Sequence, residues 1–311
     1  MKAVRYHEYG DVDVMHLEEA DQPRPAVGQV LVKVASTSFN PVDAAIRAGY
    51  LQQVFPVHFP HIPGIDVAGT VAELGESVMG LSVGDAVVGF LPMNEDGAAA
   101  EFVLAPAELL TAAPKTIPLA AAAAIPAVAL TAWQALFEHA QLHAGQRILI
   151  NGAGGGVGGF AVQFARRAGA TVIATASGRS RETVREAGAD EIIDYTTTPV
   201  TEAIDTPLDV VLNLVGASET EMAALVGLIR PGGVIVTTVT PAPEDAERQV
   251  KAVSMSVRSD ATQLAEIVAA IDAGEVHVAV SESVSFSDIA SVHKQSAAGQ
   301  LHGKVVLVPV S

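Results

Sequence analysis

Arg147-Ile-Leu-Ile-Asn-Gly-Ala-Gly-Gly-Gly-Val-Gly-Gly-Phe160 runs from a short apolar strand through a glycine turn into a helix. Ile148 to Ile150 form the buried strand. Val157, Phe160, Ala161, Phe164, Ala165 and Ala168 then recur at helical spacing, and Gly169 supplies the stop. Glycines permit positive φ and close approach of the backbone to a diphosphate, while a helix N-terminus offers unpaired N–H groups and positive dipole charge. The turn Ala153, Gly154, Gly155, Gly156, Val157, Gly158 is therefore the candidate pyrophosphate cradle. Two fingerprint registers fit, Ala153/Gly155/Gly158 and Gly154/Gly156/Gly159. Glycine-rich turns often bind nothing, but a second strand, Thr171 to Thr175, completes the start of a βαβ unit and favours dinucleotide binding over a plain tight turn.

Working outward, the chain divides by period. Up to about Leu119 it reads as short strands and turns: Lys2–Tyr6, Val30–Val34, Gly64–Leu74 and Ala86–Phe90, with one short helix over Val42–Arg47. From Leu119 helices alternate with apolar strands at Thr171–Thr175, Glu191–Asp194, Leu208–Val215 and Gly233–Thr238, the pattern of a parallel sheet covered on both faces. Ala252–Val257 is the candidate sixth strand, and Ala261–Ala273 a helix closed by Gly274. The tail, helical over Ser287–Gln295 and extended over Lys304–Val308, is assigned back to the first module. The expected class is α/β, with a β-rich domain at 1–118 plus 277–311 and a doubly wound cofactor domain at 119–276.

Composition bounds the chemistry. The 311 residues are enough for two cores, and 50% hydrophobic content excludes general disorder. With 18 basic and 35 acidic side chains the formal charge is −17, which repels nucleic acid and anionic membrane. No cysteine is present, so disulfides and thiolate metal sites are impossible. The nine histidines include no HExxH pair, and His58 and His61 lie in a proline-rich loop without acidic companions, so no metal is expected. The N-terminus lacks the apolar core of a signal peptide. Leu119–Phe137, nearly uncharged, is read as a buried domain-entry helix rather than a membrane span because Pro126, Thr131, Trp133 and Gln134 interrupt it. A cytoplasmic location follows as the expectation.

The end of the second strand selects the cofactor. A 2′-hydroxyl cofactor wants a carboxylate about 20 residues past the glycines. Here Ser177-Gly178-Arg179-Ser180-Arg181 carries none before Glu182. Two guanidiniums and two hydroxyls suit a phosphate dianion, so NADPH (NADP+) is expected, with Ser177, Arg179 and Arg181 at the extra phosphate. The alternative is a solvated helix start capped by Ser180.

The order of motifs resembles the medium-chain dehydrogenase/reductase superfamily, within it the zinc-free, zeta-crystallin-like quinone oxidoreductases. The matching motifs are Phe39-Asn40-Pro41-Val42-Asp43, Ile46-Arg47-Ala48-Gly49-Tyr50, Pro63-Gly64-Ile65-Asp66-Val67-Ala68-Gly69, Val83-Gly84-Asp85, Ala129-Leu130-Thr131-Ala132, Asn151 to Gly158, Gly188-Ala189-Asp190 to Tyr195, Arg230-Pro231-Gly232-Gly233 and Gly303-Lys304-Val305-Val306-Leu307. The resemblance implies a GroES-like substrate domain, a Rossmann domain, an active site in the cleft between them and a homodimer paired through its Rossmann sheets. It also implies that Asn40 and Thr131 contact the nicotinamide half of the cofactor, and that Tyr195 serves the adenosine phosphate. Each has a structural alternative: a turn residue, a helix hydroxyl bonded to its own backbone, and a strand-end packing residue.

Lacking a thiolate zinc site, the chemistry favours an acceptor that stabilises its own product. Hydride added to a quinone or to the β-carbon of an enone yields a delocalised phenolate or enolate, whereas an isolated ketone yields a localised alkoxide. The cofactor carries the reaction while the protein orients and keeps the pocket dry. The expected activity is thus reduction of a quinone or of the C=C bond of an α,β-unsaturated carbonyl. Tyr50, with a phenol of ordinary pKa about 10, is the candidate to orient or protonate the product, and an aromatic lid with water as proton source is its alternative. Asp43 and Arg47 are expected to pair across one helical turn. Two rivals stand beside this activity: an enoyl-thioester reductase, and a non-catalytic NADPH-binding protein like the structural or RNA-binding crystallins, against which the net charge counts.

Overall fold

The computed structural model describes residues 1–310. By packing, the chain forms two units, Met1–Ala127 with Ser259–Ser311, and Val128–Arg258. In chain order the second unit is inserted into the first, with its limits by packing at 127/128 and 258/259. The helix Ala261–Asp272 lies on the first unit because its last carboxylate is used there: Asp272 Oδ1 accepts from the N–H groups of Lys115 (2.8 Å) and Thr116 (3.0 Å) and from the Thr116 hydroxyl (2.9 Å).

The first unit is built around one long strand, Gln29–Ser38, buried over Val30–Val32 and alternating between buried and more exposed residues from Val32 to Ser36. It pairs antiparallel with Asp66–Leu74, Phe102–Pro106 and the C-terminal strand Val305–Val308. Asp66–Leu74 pairs in turn with Ala86–Phe90, and that strand with Leu110–Ala112; Glu282–Ser285 extends the other edge in parallel with Val305–Val308. The sheet buries Val30, Val32, Val67, Val71, Val87 and Val103 against Tyr6, Phe286 and Ile289. Strands His16–Glu19, Phe102–Pro106, Leu110–Ala112 and Glu282–Ser285 were not expected from the sequence. Each is short and three carry Glu or Pro, which weakens the alternating pattern.

The second unit is a six-stranded sheet, parallel throughout. In spatial order its strands are Glu191–Asp194, Thr171–Ala176, Arg147–Asn151, Leu208–Asn213, Ile229–Thr237 and Lys251–Ser254. Numbered along the chain this is 3-2-1-4-5-6, the doubly wound dinucleotide arrangement. Ile148, Leu149 and Ile150 are all fully buried, as a strand covered on both faces requires. Leu149, Ile173, Val211 and Ile235 pack with Met222, Leu225 and Val226. A separate aromatic group joins Trp133, Phe137 and Phe164, with ring centroids 4.8 and 5.5 Å from Trp133.

The expected entry helix over Leu119–Phe137 is three pieces: Leu119–Ala122, Pro126–Trp133 and a π-helical turn, Gln134–His139. Pro126 starts a helix rather than kinking one, as its missing N–H allows. Among the described residues no helix is long and apolar enough to cross a membrane.

Candidate active site

In the second unit the strand order reverses between Arg147–Asn151 and Leu208–Asn213. In open α/β sheets the crevice at the carboxyl ends of two such strands receives the ligand. The glycine turn lies there. Gly152, at φ +94°, leaves the strand in a conformation open only to glycine. The helix Gly156–Arg167 then begins with Gly155 at its N-cap, so the N–H groups of Gly156, Val157 and Gly158 have no acceptor within the helix. A Cβ at Gly158 would stand 2.5 Å from both Ala153 Cα and Gly152 O, whereas one at Gly159 would meet nothing. Of the two registers, the packing thus supports Ala153/Gly155/Gly158, in which the last glycine lets the helix close on the turn. At Gly155 an added Cβ would find only Gly152 O, at 3.5 Å, so the middle of the turn stays open to an incoming group. The cradle is of the kind a diphosphate fits.

The turn after the second strand closes on the first. A Cβ at Gly154 would lie 2.5 Å from Ser180 Oγ, so the Ser177–Ser180 turn and the glycine turn are in contact. Ser180 N donates to Ser177 O at 3.1 Å. Ser180 holds the N-cap position of Arg181–Glu186 without a side-chain cap bond, unlike the capping alternative. Arg179 and Arg181 are exposed. Arg181 stands near Asp194, whose carboxyl is held below its usual range chiefly by the Thr196 hydroxyl and N–H, with Arg181 adding to the effect. Tyr195 is also exposed.

Sequence reasoning missed a row of polar side chains at the same strand ends. Thr175 Oγ1 accepts from Gly152 N (2.8 Å) and donates to Asn151 Oδ1 (2.9 Å). Asn151 Nδ2 donates to Asn213 Oδ1 and Asn213 Nδ2 to Val215 O, each at 2.8 Å. Thr175 and Asn213 are buried. A polar residue ending each of three neighbouring apolar strands was the available clue.

In the first unit, strand Gln29–Ser38 and the helix Pro41–Arg47 meet at Asn40, where a buried charge network gathers. Asn40 Nδ2 donates to Asp66 Oδ2 at 2.8 Å, and Asn40 Oδ1 accepts from Lys304 Nζ at 2.6 Å. Lys304 also reaches Phe39 O (3.0 Å) and Asp66 Oδ2 (3.5 Å). Asp66 further accepts from Ser38 Oγ (2.5 Å) and, through Oδ1, from Ala127 N (2.7 Å) in the first turn of Pro126–Trp133. Asp43 accepts from the N–H groups of Asn40 (3.0 Å) and Gly64 (3.1 Å). Burial pushes the Asp43 carboxyl up to about 7, with the Asn40 N–H opposing it and Asp66 reinforcing it. Burial lowers Lys304, opposed by Asp66 and Asp43.

The expected Asp43–Arg47 pair does not form. Arg47 turns instead to Gly10 O (2.8 Å) and toward Asp11 (3.7 Å), because Asp43 is already taken by backbone donors on its other side. Tyr50 follows that helix and is 84% exposed. Thr131 is buried in Pro126–Trp133. His61 is buried, with Nδ1 3.7 Å from Asp96, and its imidazole is pushed down to about 4 by burial. Among the described residues no three His, Asp or Glu side chains gather as a metal would need.

A β-rich unit with a 3-2-1-4-5-6 parallel unit inserted into it defines the class of two-domain nicotinamide-dependent oxidoreductases. Comparison with known proteins agrees: residues 26–115 match the alcohol dehydrogenase GroES-like domain, and residues 187–307 match the model described as zinc-binding dehydrogenase. The chloroplast envelope quinone oxidoreductase homolog of Arabidopsis thaliana is 33% identical over 329 residues, covering 99% of this chain and 98% of that protein. The NADPH-dependent alkenal/one oxidoreductase of the same plant is also 33% identical, over 100% of this chain and 80% of its own length. The solved quinone oxidoreductase from Coxiella burnetii superposes with a TM-score of 0.89 at 27% identity, covering 99% of each chain. The chain belongs to the medium-chain dehydrogenase/reductase superfamily, among its quinone oxidoreductase relatives, and is an oxidoreductase.

Proposed function

We propose that this protein uses NADPH to reduce a quinone or the C=C bond of an α,β-unsaturated carbonyl. The observation that carries the cofactor is the turn at Gly152–Gly158, open at Gly155 and touching a carboxylate-free segment, Ser177–Arg181, that bears two exposed arginines. The N–H groups of Gly156, Val157 and Gly158 would hold the pyrophosphate, and Ser177, Arg179 and Arg181 the 2′-phosphate. Tyr195, exposed after the third strand, is proposed to flank the adenosine end. When bound, the cofactor supplies the hydride.

The substrate class is supported by the activities named for the relatives and by the product chemistry. An enolate or phenolate spreads its charge, leaving the protein to orient the acceptor and exclude water. Thr131 is proposed at the nicotinamide half of the cofactor. Asn40 is proposed to act there by shape, since its amide is engaged by Asp66 and Lys304. Tyr50 is proposed to donate a hydrogen bond to the product oxygen. A homodimer in the cytoplasm is the proposed working state.

The test is NADPH and NADH oxidation against a panel of 1,4-quinones, short enones and crotonyl thioesters. Turnover of quinones or enones with a strong NADPH preference is expected. Turnover confined to thioesters, or none anywhere despite stoichiometric NADPH binding, would overturn the proposed activity in favour of a thioester reductase or a non-catalytic binder.

A further inference from the structure

The polar row in the second unit has a property that goes beyond cofactor contact. Its three side chains each accept and donate, in one direction: Gly152 N–H to the Thr175 hydroxyl, that hydroxyl to Asn151 Oδ1, Asn151 Nδ2 to Asn213 Oδ1, and Asn213 Nδ2 to Val215 O. The two ends also meet. A Cβ built on Gly152 would stand 2.7 Å from Val215 Cγ1 and 3.3 Å from Leu214 Cβ, so the first residue of the glycine turn packs on the segment that leaves the fourth strand. Backbone bonds reinforce the circuit: Leu214 N donates to Asn151 O at 3.0 Å, and Thr238 N to Asn213 O at 3.2 Å. Strand register sets Asn151 opposite Asn213, so the side-chain bond between them costs no backbone distortion.

We infer that Thr175, Asn151 and Asn213 are positioning residues: a hydrogen-bonded chain that locks the glycine turn to the Leu214–Gly216 segment and so presets the pyrophosphate cradle before any ligand arrives. These three side chains touch backbone, one another and, from Asn213 Nδ2, the sulfur of Met222 at 3.5 Å. Their effect reaches the ligand through Gly152, whose N–H is held by Thr175 at φ +94°. A one-directional chain of bonds is mutually strengthening, and breaking one link weakens the others. The fourth-strand segment ends the same chain of bonds, so turn and segment are positioned together on the two sides of the switch point.

The inference rests on dinucleotide binding as proposed above, and its test separates the two. Dissociation constants are measured for NADPH and for adenosine 2′-monophosphate, which carries the extra phosphate but no 5′-phosphate. Thr175→Val, nearly the same shape, is expected to weaken NADPH about tenfold, the loss of roughly one hydrogen-bonded link. It should leave the 2′-monophosphate within about twofold, since that ligand has no phosphate to place in the turn. Thr175→Ser, which restores the hydroxyl, should bind NADPH like the wild type. Adding Asn213→Leu to Thr175→Val should cost less than the sum of the two single changes, as links of one chain are not independent. Should Asn213→Leu not fold, the Val/Ser pair at 175 decides alone. Wild-type affinity for NADPH in Thr175→Val, or equal loss of both ligands, overturns the inference. No NADPH binding by the wild type sinks the proposed function and this inference with it.

Discussion

The ammonium of Lys304, on the residue just before the C-terminal strand, stands 2.6 Å from the side-chain oxygen of Asn40, 264 residues earlier in the chain. Asn40 passes its own N–H to Asp66, which also receives Ser38 and the N–H of Ala127. One buried cation thus ties together the end of the long strand and the start of the helix Pro41–Arg47, and Asp66 extends the network to the N–H of Ala127. Lys304→Met leaves Asp66 charged in the core without its counter-ion and should destabilise the first unit by about 3–5 kcal/mol. Lys304→Met combined with Asp66→Asn removes both charges and should recover part of that loss. Thermal unfolding of the two variants checks this, and an unshifted melting temperature for Lys304→Met would show the pair to be energetically idle.

The glycine register gives a sharper pair. Gly158→Ala places a methyl 2.5 Å from Ala153 Cα and from Gly152 O, backbone atoms that cannot move aside without reshaping the turn. Loss of NADPH binding and lower stability are expected. Gly159→Ala enters open space inside the helix Gly156–Arg167 and should stabilise it by about 0.5–1 kcal/mol through helix propensity. Fluorescence titration with NADPH and thermal melts of both variants settle the register. If Gly159→Ala were the damaging change, Ala153/Gly155/Gly158 would be the wrong assignment.

Cofactor choice should depend unequally on the two arginines. Arg181 stands near Asp194, whereas the turn Ser177–Ser180 that carries Arg179 contains no carboxylate of its own. Arg179→Ala is therefore expected to raise the KM for NADPH about tenfold and Arg181→Ala by less, both with little change in kcat or in the KM for NADH. Steady-state kinetics with both cofactors is the measurement, and equal effects on NADPH and NADH would remove these side chains from the phosphate site.

Much of this layout was legible in the chain because it depends on local patterns. Gly152 to Gly158 sit between an apolar strand and an amphipathic helix, and that adjacency alone implies the crevice. Strands Arg147–Asn151 and Ala86–Phe90 carry strong alternation or continuous burial, and they were found. What escaped depends on partners distant in sequence. Lys304 looks like an ordinary surface lysine until Val305–Val308 pairs with Gln29–Ser38 and brings it to Asn40. Asp43 and Arg47 have ideal helical spacing for a pair, yet Gly64 and Gly10, from other segments, claim them first. The Thr175–Asn151–Asn213 row needs three strand ends in register, which spacing along one chain does not reveal.

Acid sensitivity follows from buried titratable groups. His293 packs edge-on to Phe39, with ring centroids 4.8 Å apart, and its Nδ1 has no hydrogen-bond partner. Burial, aided by Arg47, pushes its imidazole down to about 3, and burial brings His61 to about 4. For both, the unfolded chain binds a proton that the folded chain refuses as pH falls below the ordinary histidine value, so acidification below about 6.5 destabilises the fold. Asp43 works in the opposite sense. Its folded value of about 7 means that the folded chain takes up a proton first, and stability gains as pH falls from 7 toward 4. Asp96, also raised by burial, acts in the same sense as Asp43, so the two carboxyls offset part of the histidine loss and the histidine share is read from a variant. His293→Phe keeps the aromatic contact with Phe39 and removes the buried unpaired nitrogen. It should cost little at pH 7.5 and spare about 2 kcal/mol of the loss at pH 5. Melting temperatures at the two pH values, wild type against variant, provide the check. Parallel losses on acidification would show that His293 is already protonated in the folded protein, or exposed enough to titrate normally.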